Sequence, residues 1–369
     1  MRCYGTIHTE GRTHDGWLNH DRCTRITEKL TMTDWLIYRG AGEPHGGAAS
    51  LPPPPPWRRF DGGPALAVRN DADGFFHGKL GDLRIASSYR ADPEAVELVN
   101  AALYLRRPLL VTGKPGTGKS SLAYSVAYEL SLGPVLRWPI SSRSTLQEGL
   151  YSYDAIGRLQ DVNAGSRDEA DGDRDVAATI GDYVRLGPLG TALLPYERPR
   201  VLLIDEIDKG DIDLPNDLLN LFEYPAYTVH ELARVADRSS EVSVLTEDAD
   251  ERVTLCRGQV LCRAFPFVVL TSNGEREFPP AFLRRCLRLE LPIPSPEQLA
   301  GIVESHLGPG MTADGRDLLD QFVSRRQEGD LAADQLLNAI YLTSFAAREP
   351  GANRTRLAQL LMRHLDRLT

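Results

Sequence analysis

The chain is short of the features that mark secreted, membrane-spanning and nucleic-acid-coating proteins. Its 369 residues hold only five cysteines, Cys3, Cys23, Cys256, Cys262 and Cys286. The odd number and scattered spacing exclude a disulfide framework and fit a reducing compartment, so the cytoplasm is the expected location. No apolar run approaches the roughly 20 residues that a membrane-spanning helix needs. Lys and Arg total 42 against 51 Asp and Glu, a formal net charge of −9. No global basic field draws nucleic acid, which is not an expected partner. Residues 1–31 lack apolar periodicity and the apolar centre of a signal peptide. Cys3, His8, His14, His20 and Cys23 fall there at a spacing that matches no common zinc pattern. Met32-Thr-Asp-Trp-Leu-Ile-Tyr reads as an alternative start, with the preceding residues a tail.

Apolar residues make up 42% of the chain, enough to fill real cores. Residues 40–64 are dominated by Gly, Ala and Pro, and Pro52 to Pro56 form a polyproline run. The stretch reads as a stiff linker. Residues 65–88 read as an irregular arm. Asp92 followed by Pro93 then reads as the cap and first position of a helix.

The chemistry is concentrated further on. Gly113-Lys114-Pro115-Gly116-Thr117-Gly118-Lys119-Ser120 fits G-x-x-x-x-G-K-[ST] with no mismatch. Leu109-Leu-Val111 before it suits a buried strand, and Ser121 to Leu130 after it has helical spacing. Gly116 and Gly118 let the backbone turn its N–H groups onto phosphate oxygens at a helix N-terminus. Lys119 is placed for the β- and γ-phosphates, Ser120 for Mg²⁺, and Ser121 continues the loop into the helix. Ile85 to Tyr89 is the candidate pocket for the base.

Arg200-Val-Leu-Leu-Ile-Asp205-Glu206 puts an acidic pair at the end of a strand apolar enough to be buried in a parallel sheet. Asp205 is the candidate for the Mg²⁺ shell and Glu206 for the base that deprotonates an attacking water. Leu214 to Phe222 reads as an amphipathic helix. Val242 to Leu245 and Val253 to Leu261 read as short strands around Gly258, and Phe265 to Leu270 as another buried strand. Asn273, at the tip of that strand, is the candidate for holding the water. Arg284 and Arg285 follow a short helix and precede a last strand from Leu287. They are candidates for a finger inserted into a neighbouring subunit's site. Residues 161–182 are acidic and Gly-rich and read as a solvated insertion, not a metal site.

Taken in order, these motifs resemble the AAA+ ATPase superfamily. GKPGTGKS resembles its Walker A, VLLIDEIDK its Walker B, TSN its sensor 1, and FLRRC its arginine-finger region. The stretch GPLGTALLPYERPRVLLIDEIDKGDIDLPNDLLNLFE, with the later FPFVVLTSNGEREFPPAFLRR, resembles the MoxR-type branch. The resemblance covers about residues 85–369. It implies an α/β P-loop NTPase fold, a parallel sheet flanked by helices, followed by a small all-α lid. Three parts are expected: residues 1–64 irregular, 65–292 the nucleotide-binding domain with its arm, and 293–369 the lid. Lid helices are expected over Pro296–Leu307, Arg316–Arg326, Ala332–Ala347 and Asn353–Leu368. The resemblance further implies ATP and Mg²⁺ as cofactors and a homo-oligomeric ring, expected to be a hexamer. It also implies remodelling or activation of a partner protein, of the kind that carries a von Willebrand factor A-type domain. The chain departs from the branch at Ile207-Asp-Lys-Gly-Asp211, where Asn-Arg-Ala is usual. The lid's sensor 2 arginine has no clear match: Leu331 to Leu336 holds none, and Arg354 and Arg356 lie further along. A nucleotide-dependent regulatory switch or scaffold, and a nucleic-acid-associated motor, remain open as alternatives.

Overall fold

In the computed structural model the described residues are 35–68, 86–165, 178–248, 251–326 and 333–346, with Arg356 and Leu361. The early Cys and His residues, most of the acidic insertion, Arg354 and nearly all of the fourth expected lid helix lie outside them. Eleven strands are described: β1 (Leu109–Thr112), β2 (Leu136–Pro139), β3 (Tyr151–Tyr153), β4 (Val184–Leu186), β5 (Val201–Asp205), β6 (Ala226–Thr228), β7 (Glu241–Leu245), β8 (Arg252–Cys256), β9 (Gln259–Leu261), β10 (Phe267–Ser272) and β11 (Leu287–Glu290).

One sheet runs β11-β1-β10-β5-β2, and every pairing in it is parallel. Every residue of β5 and β10 is buried, as parallel strands covered on both faces require. This is the parallel α/β sheet expected from the motifs. β10 lies between β1 and β5, with Thr112 beside Ser272 and Leu270 beside Ile204. The tip of β10 therefore stands between the glycine loop leaving β1 and the acidic pair ending β5. A second sheet, β3-β4-β7-β8-β9-β6, is mostly antiparallel. Its two-residue turn, Arg257-Gly258, has positive φ at both positions (53° and 69°), the form that suits a tight hairpin. Strand β6 had no counterpart among the expected elements.

The helix Pro93–Leu105 starts where Asp92-Pro93 predicted. The Asp92 side chain makes no capping bond; it accepts instead from Gln298 Nε2 of the lid at 3.1 Å. The lid helices are Pro296–Leu307, Pro309–Arg326 and Ala333–Ala346. They close on a core of their own that includes Leu299, Val303, Leu318, Phe322, Leu336 and Ile340. The second begins seven residues before the expected Arg316, because Gly308 at φ 87° ends the first helix and Pro309 opens the next.

The linker reading of residues 40–64 is corrected. Residues 37–60 are fastened to the α/β domain by bonds to residues far along the chain. Asn100 Oδ1 accepts from the amides of Ile37 and Tyr38, and its Nδ2 donates to Tyr38 O and Val96 O. The fully buried Glu129 accepts from the amides of Arg39, Ala41 and Gly42 and contacts His45 Nε2 at 3.2 Å. The proline run is held by Arg106, whose Nη2 donates to Pro52 O at 2.7 Å. No helix among the described residues is long and apolar enough to cross a membrane.

Candidate functional site

Between β1 and the helix Lys119–Glu129, the loop Gly113–Gly118 carries three glycines at positive φ: Gly113 at 148°, Gly116 at 75° and Gly118 at 87°. At two of them space is also tight. A Cβ on Gly113 would stand 2.8 Å from Leu291 O, and one on Gly118 would stand 3.1 Å from the Tyr89 ring. Tyr89 thus packs on the last glycine of the loop, beside the phosphate cradle, and it is one of the residues expected to line the base pocket. Ile85 lies outside the described residues. Thr117 braces the loop, its hydroxyl donating to Lys114 O at 2.9 Å. Lys119 is buried and folds back, with Nζ donating to Gly113 O at 2.7 Å and Lys114 O at 3.0 Å. Burial draws its pKa down, against the pull of Asp208, Asp205 and Glu206.

Asp205 receives donors on both oxygens. Ser120 and Thr271 hydroxyls donate to Oδ1 at 2.8 and 2.7 Å, and the Arg137 guanidinium reaches Oδ2 at 2.7 Å. Burial alone would raise its pKa, but the bonds from Thr271, Ser120 and Arg137 outweigh it and hold the carboxyl below the ordinary range. It is therefore an anion with a hydroxyl beside it, hard oxygen donors of the kind Mg²⁺ takes together with phosphate oxygens. Among the described residues there is no cluster of three or more His, Cys, Asp or Glu that could hold a metal.

The next residue, Glu206, has φ 60° and ψ 49°. This left-handed conformation costs a non-glycine residue about 1–2 kcal/mol, and such strain concentrates at functional positions. Its amide donates to Thr271 Oγ1 at 2.9 Å. Its Oε2 accepts from Lys209 Nζ at 2.9 Å, and both partners are over 40% exposed. An exposed pair of this type is worth roughly 0–1 kcal/mol, so it yields easily to a competing ligand.

Asn273 is fixed by its backbone, whose amide donates to Asp208 Oδ2 at 2.9 Å. The same oxygen accepts from Ser272 Oγ at 2.9 Å and the Glu275 amide at 3.2 Å. Asp208, Thr271 and Arg137 are the positioning residues that sequence reasoning missed. Asp208 had a signal, lying three residues after Asp205 on one turn. Thr271 was visible only as the first residue of the TSN stretch, with no role of its own, and nothing in the sequence singled out Arg137.

Arg284 and Arg285 do not join this cluster. They precede β11, whose first residue Leu287 lies beside Leu109, the first residue of β1. The glycine loop leaves the other end of β1, three residues on, about 10 Å at the usual rise per residue. Neither arginine serves the loop of its own chain. Arg285 Nε donates to Glu223 Oε1 at 2.8 Å and its Nη1 to Ala281 O at 3.2 Å. Arg284 is exposed, and among the described residues no carboxylate pairs with it.

Residues 108–286 match the family described as AAA domain (dynein-related subfamily). Among solved structures the chain is similar to "Structure of C. elegans PCH-2", at 15% identity and a TM-score of 0.38, over 75% of this chain and 70% of that one. No curated protein matches.

Proposed function

Starting from an AAA domain over residues 108–286, we propose that the protein binds and hydrolyses Mg-ATP in a ring of identical subunits and spends the hydrolysis on remodelling or activating a partner protein, as a MoxR-type member of the superfamily. The observation that carries the nucleotide reading is the convergence of Ser120, Asp205 and Thr271 within hydrogen-bonding distance, at the mouth of the glycine loop.

Each residue then has a task. The loop amides from Gly113 to Gly118 and the N-terminus of the helix Lys119–Glu129 take the phosphates. Lys119 exchanges its two loop carbonyls for phosphate oxygens. Ser120 and Asp205 would hold Mg²⁺, which when bound offsets charge on the phosphate chain. Glu206, released from Lys209, accepts the proton of a water attacking the γ-phosphate, and Asn273 orients that water. Arg284, with no carboxylate partner among the described residues, is the better placed finger for a neighbour's site, with Arg285 held by Glu223 beside it. The position of both at the far edge of the sheet supports action in trans.

Lys119→Ala is expected to weaken Mg-ATP binding by at least tenfold without changing the fold, read by calorimetric titration alongside circular dichroism. Undiminished affinity in a folded Lys119→Ala protein would remove the P-loop from the account. The regulatory-switch reading shares this binding site and separates from the remodelling reading by turnover alone.

A further inference from the structure

Leu51 to Pro56, read from sequence as a spacer, roofs a cavity of about 820 Å³. The floor includes Pro199 and Phe265, just ahead of β5 and β10, so the cavity opens at the sheet edge opposite the glycine loop. Its charged lining is lopsided. Arg58, Arg59, Arg106, Arg198 and Arg263 face it against only Asp61 and Glu197, in a chain whose net charge is −9.

Two of these arginines are buried, Arg58 at 7% exposure and Arg106 at 8%. A buried cation ordinarily sits against an anion. Among the described residues Arg106 has no carboxylate partner; it donates to Pro52 O and Leu103 O. Arg58 donates to Arg106 O and Phe222 O, and its nearest acid, Glu223, is 3.8 Å away. Burial draws both guanidiniums below their ordinary pKa, Arg106 to about 10. The carbonyls lie at the ends of the helices Pro93–Leu105 and Leu214–Glu223, where a cation is favoured. That explains how Arg58 and Arg106 are accommodated. Of the other three, the exposed Arg59 lies 3.7 Å from Asp61 and Arg263 Nη1 donates to Gly62 O at 3.4 Å, while Arg198 adds a further cation to the same recess.

We propose that this cavity is a binding site for a small polyphosphorylated ligand, gripped by Arg106, Arg198 and Arg263 against the wall of prolines. The volume falls within the range of about 300–1,000 Å³ typical of small-molecule sites. Guanidinium forks match phosphate oxygens two at a time, and several of them around one recess suit a group with many oxygens better than a single carboxylate. The site is separate from the glycine loop and does not depend on it.

The test uses the full chain with its P-loop saturated by a non-hydrolysable ATP analogue and Mg²⁺. Inorganic tripolyphosphate is titrated in one arm and ADP in another, so that a bare phosphate chain and a nucleotide are told apart. The site predicts one further molecule bound per chain in at least one arm. Arg198→Gln with Arg263→Gln should weaken that binding at least tenfold and leave analogue binding and the melting temperature unchanged. Arg106→Gln, a buried position, is read only if its melting temperature is preserved. Lack of a second bound molecule, or second-site binding indifferent to Arg198 and Arg263, would overturn the proposal. So would an acidic decapeptide that binds this face and is not displaced by tripolyphosphate, which would make the surface a protein contact.

Discussion

Glu206→Gln is expected to lower the rate of ATP hydrolysis by about 10²–10⁴-fold, the usual contribution of a positioned general base, while Mg-ATP stays bound. Glutamine has the shape of glutamate and keeps the backbone bond from residue 206 to Thr271 Oγ1, so the left-handed turn at the sheet edge survives. The phosphate-binding parts, Gly113 to Gly118, Lys119 and Ser120, belong to a different strand and are untouched. The only local loss is the exposed bond from Lys209, too weak to disturb the loop. Single-turnover hydrolysis and nucleotide retention, measured on the same sample, check both halves. Wild-type turnover in the Glu206→Gln protein would take the base away from this residue.

The second large effect lies far from the phosphates. Arg200 is 1% exposed and donates two parallel hydrogen bonds to the Asp248 carboxylate, at 2.7 and 2.8 Å. Its Nη1 also reaches Tyr196 Oη, and its Nη2 reaches Pro134 O. Burial would pull its pKa down, but Asp248 more than compensates and the net direction is upward. The pair ties the residue before β5 to the turn after β7, joining the two sheets behind the acidic strand. Asp248→Asn leaves a buried guanidinium without its counter-charge and should destabilise the fold by about 3–5 kcal/mol. Replacing both partners, Arg200→Met with Asp248→Leu, removes the charges together and should cost far less. Urea midpoints of the three proteins distinguish these outcomes. An Asp248→Asn protein as stable as the wild type would show that the pair is not what binds the sheets.

Much of the candidate site was legible because its residues are local in sequence. The glycine loop, the acidic pair after four apolar residues and the polar tip of β10 each occupy one short stretch. The sheet then brings their ends together. What escaped notice is held by long-range partners. Asn100 and Glu129 lie in stretches read as ordinary helices, yet their side chains fasten residues 60 to 90 positions away. Gly- and Pro-rich composition around Pro52 to Pro56 signals a lack of regular structure, and it carries no information on whether the segment docks. Arg200 reads as a charge before a strand, and nothing in its neighbourhood announces Asp248. The boundary of the second lid helix failed for a local reason, because the pattern from Pro309 to Gly315 is only weakly apolar.

The central claim is that each hydrolytic site is completed by a neighbouring chain. Mixing two disabled proteins tests it directly. The Glu206→Gln protein keeps its arginines, and the Arg284→Ala, Arg285→Ala protein keeps its base. Each is expected to be nearly inactive alone. In a mixed ring, an interface with the base from one and the finger from the other is intact. Equimolar random mixing restores about a quarter of the interfaces in a closed ring of head-to-tail contacts, and ATPase activity should return accordingly. A mixture no more active than its components, although both assemble with the wild type, would contradict a shared site, as would full activity in the arginine variant alone.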